Sequence, residues 1–323
     1  MSASDDARWL AAAAGLAERA RPLSRPNPAV AAILVHGGVV VGRGWTQPGG
    51  RPHAEAAALA EAGNAARGAT LYVTLEPCAH RSERGPACAD LVADAGLARV
   101  VAGIEDPDPR TAGRGLARLR DAGVAATCAA DARCAASLAG YRRAKATGYP
   151  ETTLKLAMTA DGFIARKDGT SKWITGEAAR AHAHRERARA DAILVGGRTL
   201  RADAPRLDVR LPGLADRSPR RLLLTRGEAP DGWTALAHPR EIGALGLQYL
   251  LVEGGAGVAE AFLADGLVDR LLLYRSPTEF GDGIAAFRKP GPDGVPHGWR
   301  LADRRRLGSD TLEVYYPAQA ERG

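Results

Sequence analysis

The sequence predicts an α/β protein of two domains, on three observations. In each half of the chain, apolar β-rich segments alternate with helical ones, which is typical of layered α/β domains. The length of 323 residues is about twice that of a usual domain of roughly 150 residues. The alternation fades over 139–151, and a new strand begins near Thr153. We therefore place the boundary near residue 147, which gives domains 1–147 and 148–323.

The first half is predicted to contain a helix, a hairpin and then alternating helices and strands. Residues 29–35 and 39–45 are β-rich and are separated by His36-Gly37-Gly38, a hairpin signal. A loop rich in Pro and Gly follows over 47–52. The later elements are expected as helix 54–62, strand 69–75, helix 89–95, strand 99–103, helix 116–121 and strand 124–128.

The second half shows the same alternation. Strands are expected at 153–157, 192–196, 221–225, 249–253 and 270–274, with helices at 177–189 and 258–265. Residues 300–307 and 312–316 are expected to form a closing hairpin. The segment 226–248 is short and Pro-rich. We expect it to lack a further strand and helix, so that the second domain is shortened there.

Composition excludes several classes of protein. With 46% apolar and 25% charged residues, the chain is too apolar and too balanced in charge for intrinsic disorder. No apolar stretch approaches the ~18 residues of a membrane span. Asp5 and Asp6 stand where a signal peptide carries positive charge. The expectation is a cytoplasmic protein that does not associate with membranes.

The charge permits an anionic partner without choosing among them. The net charge is +7, and five of the 44 basic residues are lysines, so the positive charge is mostly arginine. Arginine binds phosphate bidentately, although most of these arginines are explained by a compositional bias of the genome. The chain has no strongly basic run, and its aromatic content is 5%, which argues against a nucleic-acid surface.

The strongest chemical signal is a set of metal-ligand residues in the first half. His53 opens a predicted helix, Cys78 follows a predicted strand after Glu76-Pro77, and Cys88 comes ten residues later. One His and two thiolates leave the fourth position of a tetrahedral zinc open, which is typical of catalytic sites. The alternative is that Cys78 and Cys88 are small buried hydrophobic residues and His53 lies on the surface.

Glu55 is the candidate catalytic residue. It lies two residues after His53, where a carboxylate can move protons beside the metal without binding it. The pattern His-x-Glu followed by Pro-Cys and a second Cys is the signature of zinc deaminases, although their usual cysteine spacing is C-x2-C. Cys128 and Cys134 have no His nearby and are expected to be structural.

Longer motifs resemble one family over nearly the whole chain. Pro26-Asn27-Pro28, Pro52-His53-Ala54-Glu55, the segment 74–80, the widened cysteine spacing and Asp106-Pro107-Asp108-Pro109 are similar to the deaminase half of RibD, the bifunctional riboflavin biosynthesis family. That family joins a diaminohydroxyphosphoribosylaminopyrimidine deaminase to a 5-amino-6-(5-phosphoribosylamino)uracil reductase. The resemblance implies a cytidine-deaminase-like three-layer α/β/α domain, in which Asn27 and His80 contact the substrate.

Motifs of the second half resemble the reductase of the same family. They lie at 155–162, 171–175, 185–187, 196–210 and 251–255. The resemblance implies a dihydrofolate-reductase-like α/β domain that binds NADPH and a ribosyl phosphate. The implied cofactor residues are Ala157, Trp173, Thr199, Asp203, Gly255, Ala256, Gly257 and Val258. The implied substrate residues are Ser171, Arg187, Leu207, Arg210 and Glu253.

Elementary chemistry agrees with part of that assignment. The segment around Gly255 is a strand, a glycine turn and a helix start, where backbone N–H groups can receive a phosphate. Taken alone, Gly255-x-Gly257 is a weak motif, and a plain tight turn explains it as well. Without the resemblance, each arginine would be interpreted as a solvated or ion-paired residue, and Trp173 as a residue packed in the core. From its position alone, Arg226 is a candidate for binding the 2′-phosphate of NADPH.

The predicted function is zinc-dependent deamination of a phosphorylated pyrimidine, followed by NADPH-dependent reduction of its ribosyl group to ribityl. The chain would need one Zn²⁺ and NADPH, with a homodimer or larger homo-oligomer left open. One alternative is a tRNA or nucleoside deaminase with an appended binding domain. The other is a deaminase whose second domain is inactive, binding ligand or mediating assembly.

Overall fold

The computed structural model describes residues 3–81, 83–291 and 293–318. It divides into two compact units, Met1–Thr147 and Gly148–Gly323. The first has one hydrophobic core, and the second has three clusters of buried side chains. Among the described residues, no helix is long and apolar enough to span a membrane.

The first unit is built on a five-stranded sheet in the order β2-β1-β3-β4-β5. The hairpin of β1 and β2 is antiparallel, as predicted, and β1 also runs antiparallel to β3. Strands β3, β4 and β5 are parallel. The strands are Ala31–His36 (β1), Val39–Trp45 (β2), Thr70–Leu75 (β3), Arg99–Ile104 (β4) and Ala125–Cys128 (β5).

Six helices of the described residues pack around this sheet. They are Ala3–Ala17 (α1), Ala54–Ala62 (α2), Cys88–Asp94 (α3), Arg114–Asp121 (α4), Ala132–Ser137 (α5) and Ala139–Thr147 (α6). Helix α1 packs on β1, β3 and α5, whereas α2 packs on β1, β2 and α3. Every residue of β3 is buried, as expected of a central strand with both faces covered.

Two glycines of β2 let α2 lie directly on the sheet. A Cβ at Gly42 would be 2.4 Å from the Ala58 carbonyl oxygen, and one at Gly44 would be 2.4 Å from that of Ala54. Neither position can therefore hold a side chain without moving the helix. This contact fixes the first turn of α2.

The second unit is built on an eight-stranded mixed sheet in the order β10-β9-β8-β11-β6-β12-β15-β14. The six strands from β10 to β12 in that order are parallel, and the closing hairpin of β14 and β15 is antiparallel. The sheet consists of Glu151–Met158 (β6), Ala192–Gly196 (β8), Arg220–Leu224 (β9), Trp233–Leu236 (β10), Tyr249–Val252 (β11), Arg270–Arg275 (β12), Trp299–Leu307 (β14) and Asp310–Pro317 (β15).

Among its described residues, this unit also has three α-helices, two 3-10 helices and a small antiparallel pair. The α-helices are Glu177–Arg187 (α7), Gly197–Asp203 (α8) and Ala256–Ala264 (α9), and the pair is Phe163–Ala165 (β7) with Ile284–Ala285 (β13). Helix α9 begins directly after β11, so its N-terminus lies at the carboxyl end of a central parallel strand.

Two expectations about local structure need correction. The segment 139–151 holds helix α6, whose buried face includes Tyr141, although its polar residues hide the helical period. The segment 226–248, expected to lack a strand and a helix, contains β10 and the 3-10 helix Pro239–Leu245. Strand β10 pairs with β9 through a parallel register, so this edge of the sheet has its strand.

Candidate functional site

Three elements of the first unit bring His53, Cys78 and Cys88 together. His53 is the N-cap residue of α2, Cys78 follows β3, and Cys88 is the first residue of α3. The His53 Nδ1 lies 3.2 Å from the Cys88 Sγ and 3.7 Å from the Cys78 Sγ. All three ligand atoms lie within 4.8 Å of one another.

This donor set fits zinc. A tetrahedral zinc with Zn–N and Zn–S bonds of about 2.0 to 2.3 Å needs neighbouring ligand atoms about 3.5 to 3.8 Å apart. The observed N-to-S separations of 3.2 and 3.7 Å are close to that requirement. Protein ligands at three positions leave the fourth for water or substrate, as in catalytic zinc sites.

Asn27 holds the far side of the imidazole. Its Nδ2 lies 2.9 Å from the His53 Nε2 and donates a hydrogen bond to the Gly50 carbonyl at 2.8 Å. Because the amide nitrogen can only donate, this contact leaves the proton of the neutral imidazole on Nδ1. Asn27, expected to contact substrate, is thus also a neighbour of the metal ligand.

The pKa values of the two thiols shift in opposite directions. The hydrogen bond with Cys88 lowers the pKa of Cys78 to about 4, and the pKa of Cys88 is raised by the same bond. Burial alone would lower the pKa of His53, but its hydrogen bond with Cys78 and the charge of Glu55 raise it. Binding of a divalent cation to such a group releases protons.

Glu55 lies in the first turn of α2, where its side chain is almost fully buried. Burial raises the pKa of Glu55 to about 7, although the nearby His53 charge opposes the shift. Glu55 lines the same cavity as His53 and Cys78. The structure therefore places a buried carboxyl group beside the predicted metal ligands.

These residues open into a cavity of about 380 Å³, which lies in the size range of small-molecule sites. Asn27 and His80 line it, and the His80 Nδ1 lies 3.4 Å from the Thr111 hydroxyl. Cationic side chains also line the cavity, namely Arg51, Arg84, Arg110 and Lys145. An anionic group on the substrate would meet positive charge there.

Sequence reasoning missed several residues of this cavity. Glu76, Asp106 and Asp108 are buried in its wall, although they belong to motifs noted above. Tyr141 and Lys145 also line it. Both lie on α6, which the sequence pattern did not reveal. The three acidic residues could have been identified from their positions in those motifs, but no sequence signal predicted helix α6.

In the second unit, Glu253 is the centre of a buried ion-pair group. The Arg187 guanidinium donates two hydrogen bonds to its carboxylate, at 2.7 and 2.9 Å. The Lys155 Nζ lies 3.6 Å from the same carboxylate. Burial opposes ionisation of Glu253, but Lys155 and Arg187 lower its pKa to about 2. Lys155 is a neighbour that the predicted site did not include.

The other three predicted substrate residues lie in different environments. Arg210 is exposed and lies 3.4 Å from the His184 imidazole. Leu207 packs its side chain into a hydrophobic cluster and has a φ of 56°, so only its backbone is suited to contact a ligand. Ser171 is partly exposed in the connection between β7 and α7.

The predicted cofactor residues lie on four parts of the second unit. Thr199 and Asp203 lie on α8, and Ala157 lies on β6. A Cβ at Gly255 would lie 3.8 Å from the Thr199 Oγ1, so α8 meets the start of α9, where Ala256, Gly257 and Val258 form the first turn. Trp173 is 70% exposed, and the Arg180 guanidinium lies 4.8 Å from its ring centre.

Glycines let α9 begin close to the sheet. A Cβ at Gly196 or Gly254 would lie within 2.5 Å of a Val258 side-chain atom, so neither residue has room for a side chain. The N-terminus of α9 consequently lies against the carboxyl ends of β8 and β11. Free N–H groups at such a helix end can bind a phosphate.

Known proteins match both units. The model of the cytidine and deoxycytidylate deaminase zinc-binding region matches residues 3–104, and that of the RibD C-terminal domain matches 150–312. The riboflavin biosynthesis protein RibD of Corynebacterium ammoniagenes is 38% identical over 289 residues, which cover 84% of this chain and 85% of that protein.

Solved structures agree over nearly the full length. Acinetobacter baumannii RibD superposes with a TM-score of 0.86 at 32% identity, over 98% of this chain and 99% of that one. A Thermotoga maritima diaminohydroxyphosphoribosylaminopyrimidine deaminase/5-amino-6-(5-phosphoribosylamino)uracil reductase gives 0.87 at 28% identity, over 97% and 98%. These matches confirm the predicted fold class of both domains. The chain belongs to the RibD family.

Proposed function

We propose that the chain is a bifunctional enzyme of riboflavin biosynthesis, with deamination in domain 1–147 and reduction in domain 148–323. The substrate is 2,5-diamino-6-(5-phosphoribosylamino)pyrimidin-4-one, whose deaminated product is then reduced from ribosyl to ribityl. The observation that supports this best is the group of His53, Cys78 and Cys88 beside a cavity that Glu55 also lines, in a chain that matches RibD along its length.

In the first domain, His53, Cys78 and Cys88 hold the zinc. Zinc in such a site acts as a Lewis acid that makes water nucleophilic near neutral pH. Glu55 takes a proton from the attacking water and delivers it to the departing amine, because its carboxyl group lies beside the ligands without being one of them. Asn27 and His80 contact the substrate in the cavity wall.

In the second domain, NADPH supplies the hydride, and the protein supplies binding and orientation. The residues that would hold the cofactor are Ala157, Trp173, Thr199, Asp203 and the turn 255–258, and the free N–H groups at the start of α9 are suited to a phosphate. Ser171, Leu207 and Arg210 bind the ribosyl phosphate together with Arg187 and Glu253. The ion pairs of Glu253 with Arg187 and Lys155 fix the carboxylate for a hydrogen bond to the sugar.

The proposal extends to partners and location. The partner is a phosphorylated pyrimidine small molecule, rather than nucleic acid or a membrane surface, and the enzyme acts in the cytoplasm. The cationic side chains of the cavity support an anionic substrate. A tRNA-binding assay in which the chain retains tRNA without releasing ammonia from the pyrimidine would favour the nucleic-acid alternative.

The test is a coupled assay on the zinc-loaded protein, with ammonia release and NADPH absorbance followed separately. Both signals are expected from the diaminopyrimidine substrate. Ammonia without NADPH oxidation would contradict the reductase assignment and favour a second domain that only binds ligand. Absence of both signals from a folded, zinc-loaded protein would contradict the proposal.

Glu55→Gln is the sharpest variant for this assay. We expect it to lower ammonia release by about 10²- to 10⁴-fold, the usual contribution of a general acid–base group. Zinc content should be unchanged, and NADPH oxidation with the deaminated intermediate should remain near the wild-type rate. Loss of both reactions in a folded variant would contradict the assignment of two separate sites.

A further inference from the structure

The Glu76 side chain connects two parts of the deaminase cavity. One is the turn 76–78 that carries Cys78, here called the metal-ligand turn, and the other is the wall formed by segment 105–116. Glu76 is 2% exposed and stands two residues before Cys78. One carboxylate oxygen accepts backbone N–H groups of Asp106 at 3.2 Å and Gly113 at 2.9 Å. The other oxygen accepts the N–H of Leu116 at 3.0 Å.

Segment 105–116 also packs directly against the metal-ligand turn, with no room for a side chain at Gly115. A Cβ at Gly115 would lie 1.9 Å from the Pro77 carbonyl oxygen and 3.2 Å from the Glu76 Cγ. Segment 105–116 therefore contacts the metal-ligand turn in two ways. Near its end, the backbone at Gly115 lies against the Pro77 carbonyl. Along its length, backbone N–H groups bind the Glu76 carboxylate.

This segment carries much of the polar wall of the cavity. Asp106, Asp108 and Arg110 all line the cavity. The Arg110 guanidinium and the Lys145 ammonium both bind the Asp108 carboxylate, at 2.7 and 2.8 Å. The Tyr141 hydroxyl donates to Asp106 at 2.8 Å. A shift of the segment would therefore move charged groups that face the substrate.

We propose that Glu76 is a positioning residue of the deaminase site, which holds segment 105–116 against the metal-ligand turn and thereby sets the cavity wall that binds the substrate. The inference rests on the proposed deaminase function. The Glu76 carboxylate is engaged by three backbone N–H groups, so its removal weakens substrate binding more than it slows the chemical step.

Glu76→Gln tests the carboxylate with almost no change of shape. Because both oxygens accept N–H groups, either orientation of the new amide turns an NH2 group towards at least one backbone donor. We expect the KM for deamination to rise about tenfold with kcat within about twofold, the signature of binding lost equally from the ground state and the transition state. Zinc content should remain at the wild-type level.

The matched control is Asp131→Asn. Asp131 also accepts two backbone N–H groups, those of Arg133 and Cys134, in the same unit, but it is not among the residues that line the cavity. Its variant should lose stability without a change in KM. If both variants raised KM equally, the effect would be general loosening, and the positioning role would be overturned.

Amide hydrogen exchange gives a second readout that needs no activity. Glu76→Gln should speed exchange at the N–H groups of Asp106, Gly113 and Leu116, with β3 and α2 unchanged. Unaltered exchange at those amides, or an unaltered KM, would overturn the proposal. If the wild-type protein released no ammonia, the proposed function would fail by itself, and the exchange data would still decide whether Glu76 holds the segment.

Gly115→Ala perturbs the same contact from the other side. Its Cβ would press on the Pro77 carbonyl, so this variant should also raise KM. Gly15→Ala is the control, because a Cβ there meets nothing within 4 Å. A normal KM in a folded Gly115→Ala protein would count against the proposal.

Discussion

At both candidate sites, the main charged and polar side chains are at least partly buried and contact specific partner residues. His53 has a neighbour at both ring nitrogens, Cys88 at Nδ1 and Asn27 at Nε2. Glu253 is held between Arg187 and Lys155. Because a buried charge without a partner is costly, removal of one member of the Glu253 group should destabilise the second unit.

Glu253 allows a prediction about pH. Its pKa in the folded protein is lowered from 4.5 to about 2, so its ionised form stabilises the fold above pH 4.5. That stabilisation, on the order of 3 kcal/mol, should be lost as the pH falls from 4.5 towards 2. Thermal unfolding of wild type and Glu253→Gln should show a stability gap that is constant above about pH 5 and narrows below it. A gap between wild type and Glu253→Gln that stays constant down to pH 3 would contradict the assigned ion pairs.

At the scale of elements, the metal site depends on where α2 begins. Its first turn holds Glu55, and His53 is its N-cap residue. The helix lies on β2 only because Gly42 and Gly44 leave room for its backbone. The same device recurs in the second unit, where Gly196 and Gly254 let α9 begin against the sheet.

Gly44→Ala should therefore weaken both the fold and zinc binding. The new Cβ would lie 2.4 Å from the Ala54 carbonyl oxygen and 2.5 Å from the Ala58 nitrogen, which forces α2 away from β2. Overpacking of this kind typically costs about 1 to 3 kcal/mol. We expect a lower free energy of unfolding in urea and a weaker zinc affinity in a competition titration with a chelating dye.

Gly15→Ala serves again as the control, since it adds the same methyl group to α1 in open space. Its stability should be equal to or slightly above that of wild type, because Ala is the better helix former. Wild-type zinc affinity in Gly44→Ala would show that the start of α2 does not set the metal site.

At the scale of the molecule, the two candidate sites are built from separate sets of residues. The metal group and its cavity use residues 26–145, and the ion-pair group of Glu253 uses residues after 148. Each unit also has its own buried core. We therefore expect the two reactions to be lost separately.

Removal of zinc with a chelator should abolish ammonia release and leave NADPH oxidation on the deaminated intermediate. Calorimetry should show destabilisation of one transition, because a bound metal stabilises only the folded form of the unit that binds it. Added zinc should restore both the transition and ammonia release. Equal loss of both reactions, with neither restored by zinc, would contradict the separation.

Local patterns in the sequence predicted the elements with strong periodicity or turn chemistry. The hairpin around His36-Gly37-Gly38 and the alternation of strands and helices in both halves were confirmed. Helix α6 was missed because its run Arg142-Arg143-Ala144-Lys145 is mostly polar, and burial of Tyr141 decides its position. Strand β10 was missed because a strand of four residues is too short to show a clear alternation in the sequence. It forms by pairing with β9.

The sequence by itself predicted the metal ligands and the acid–base residue, and it identified the family. These follow from residue types and spacings, because few side chains can bind zinc and their order along the chain is characteristic. Only the tertiary structure decided that Glu76 joins two walls of the cavity, that Lys145 enters it, and that Lys155 and Arg187 share Glu253. Such contacts join residues far apart in the chain, so their distances depend on how strands and helices pack rather than on local pattern.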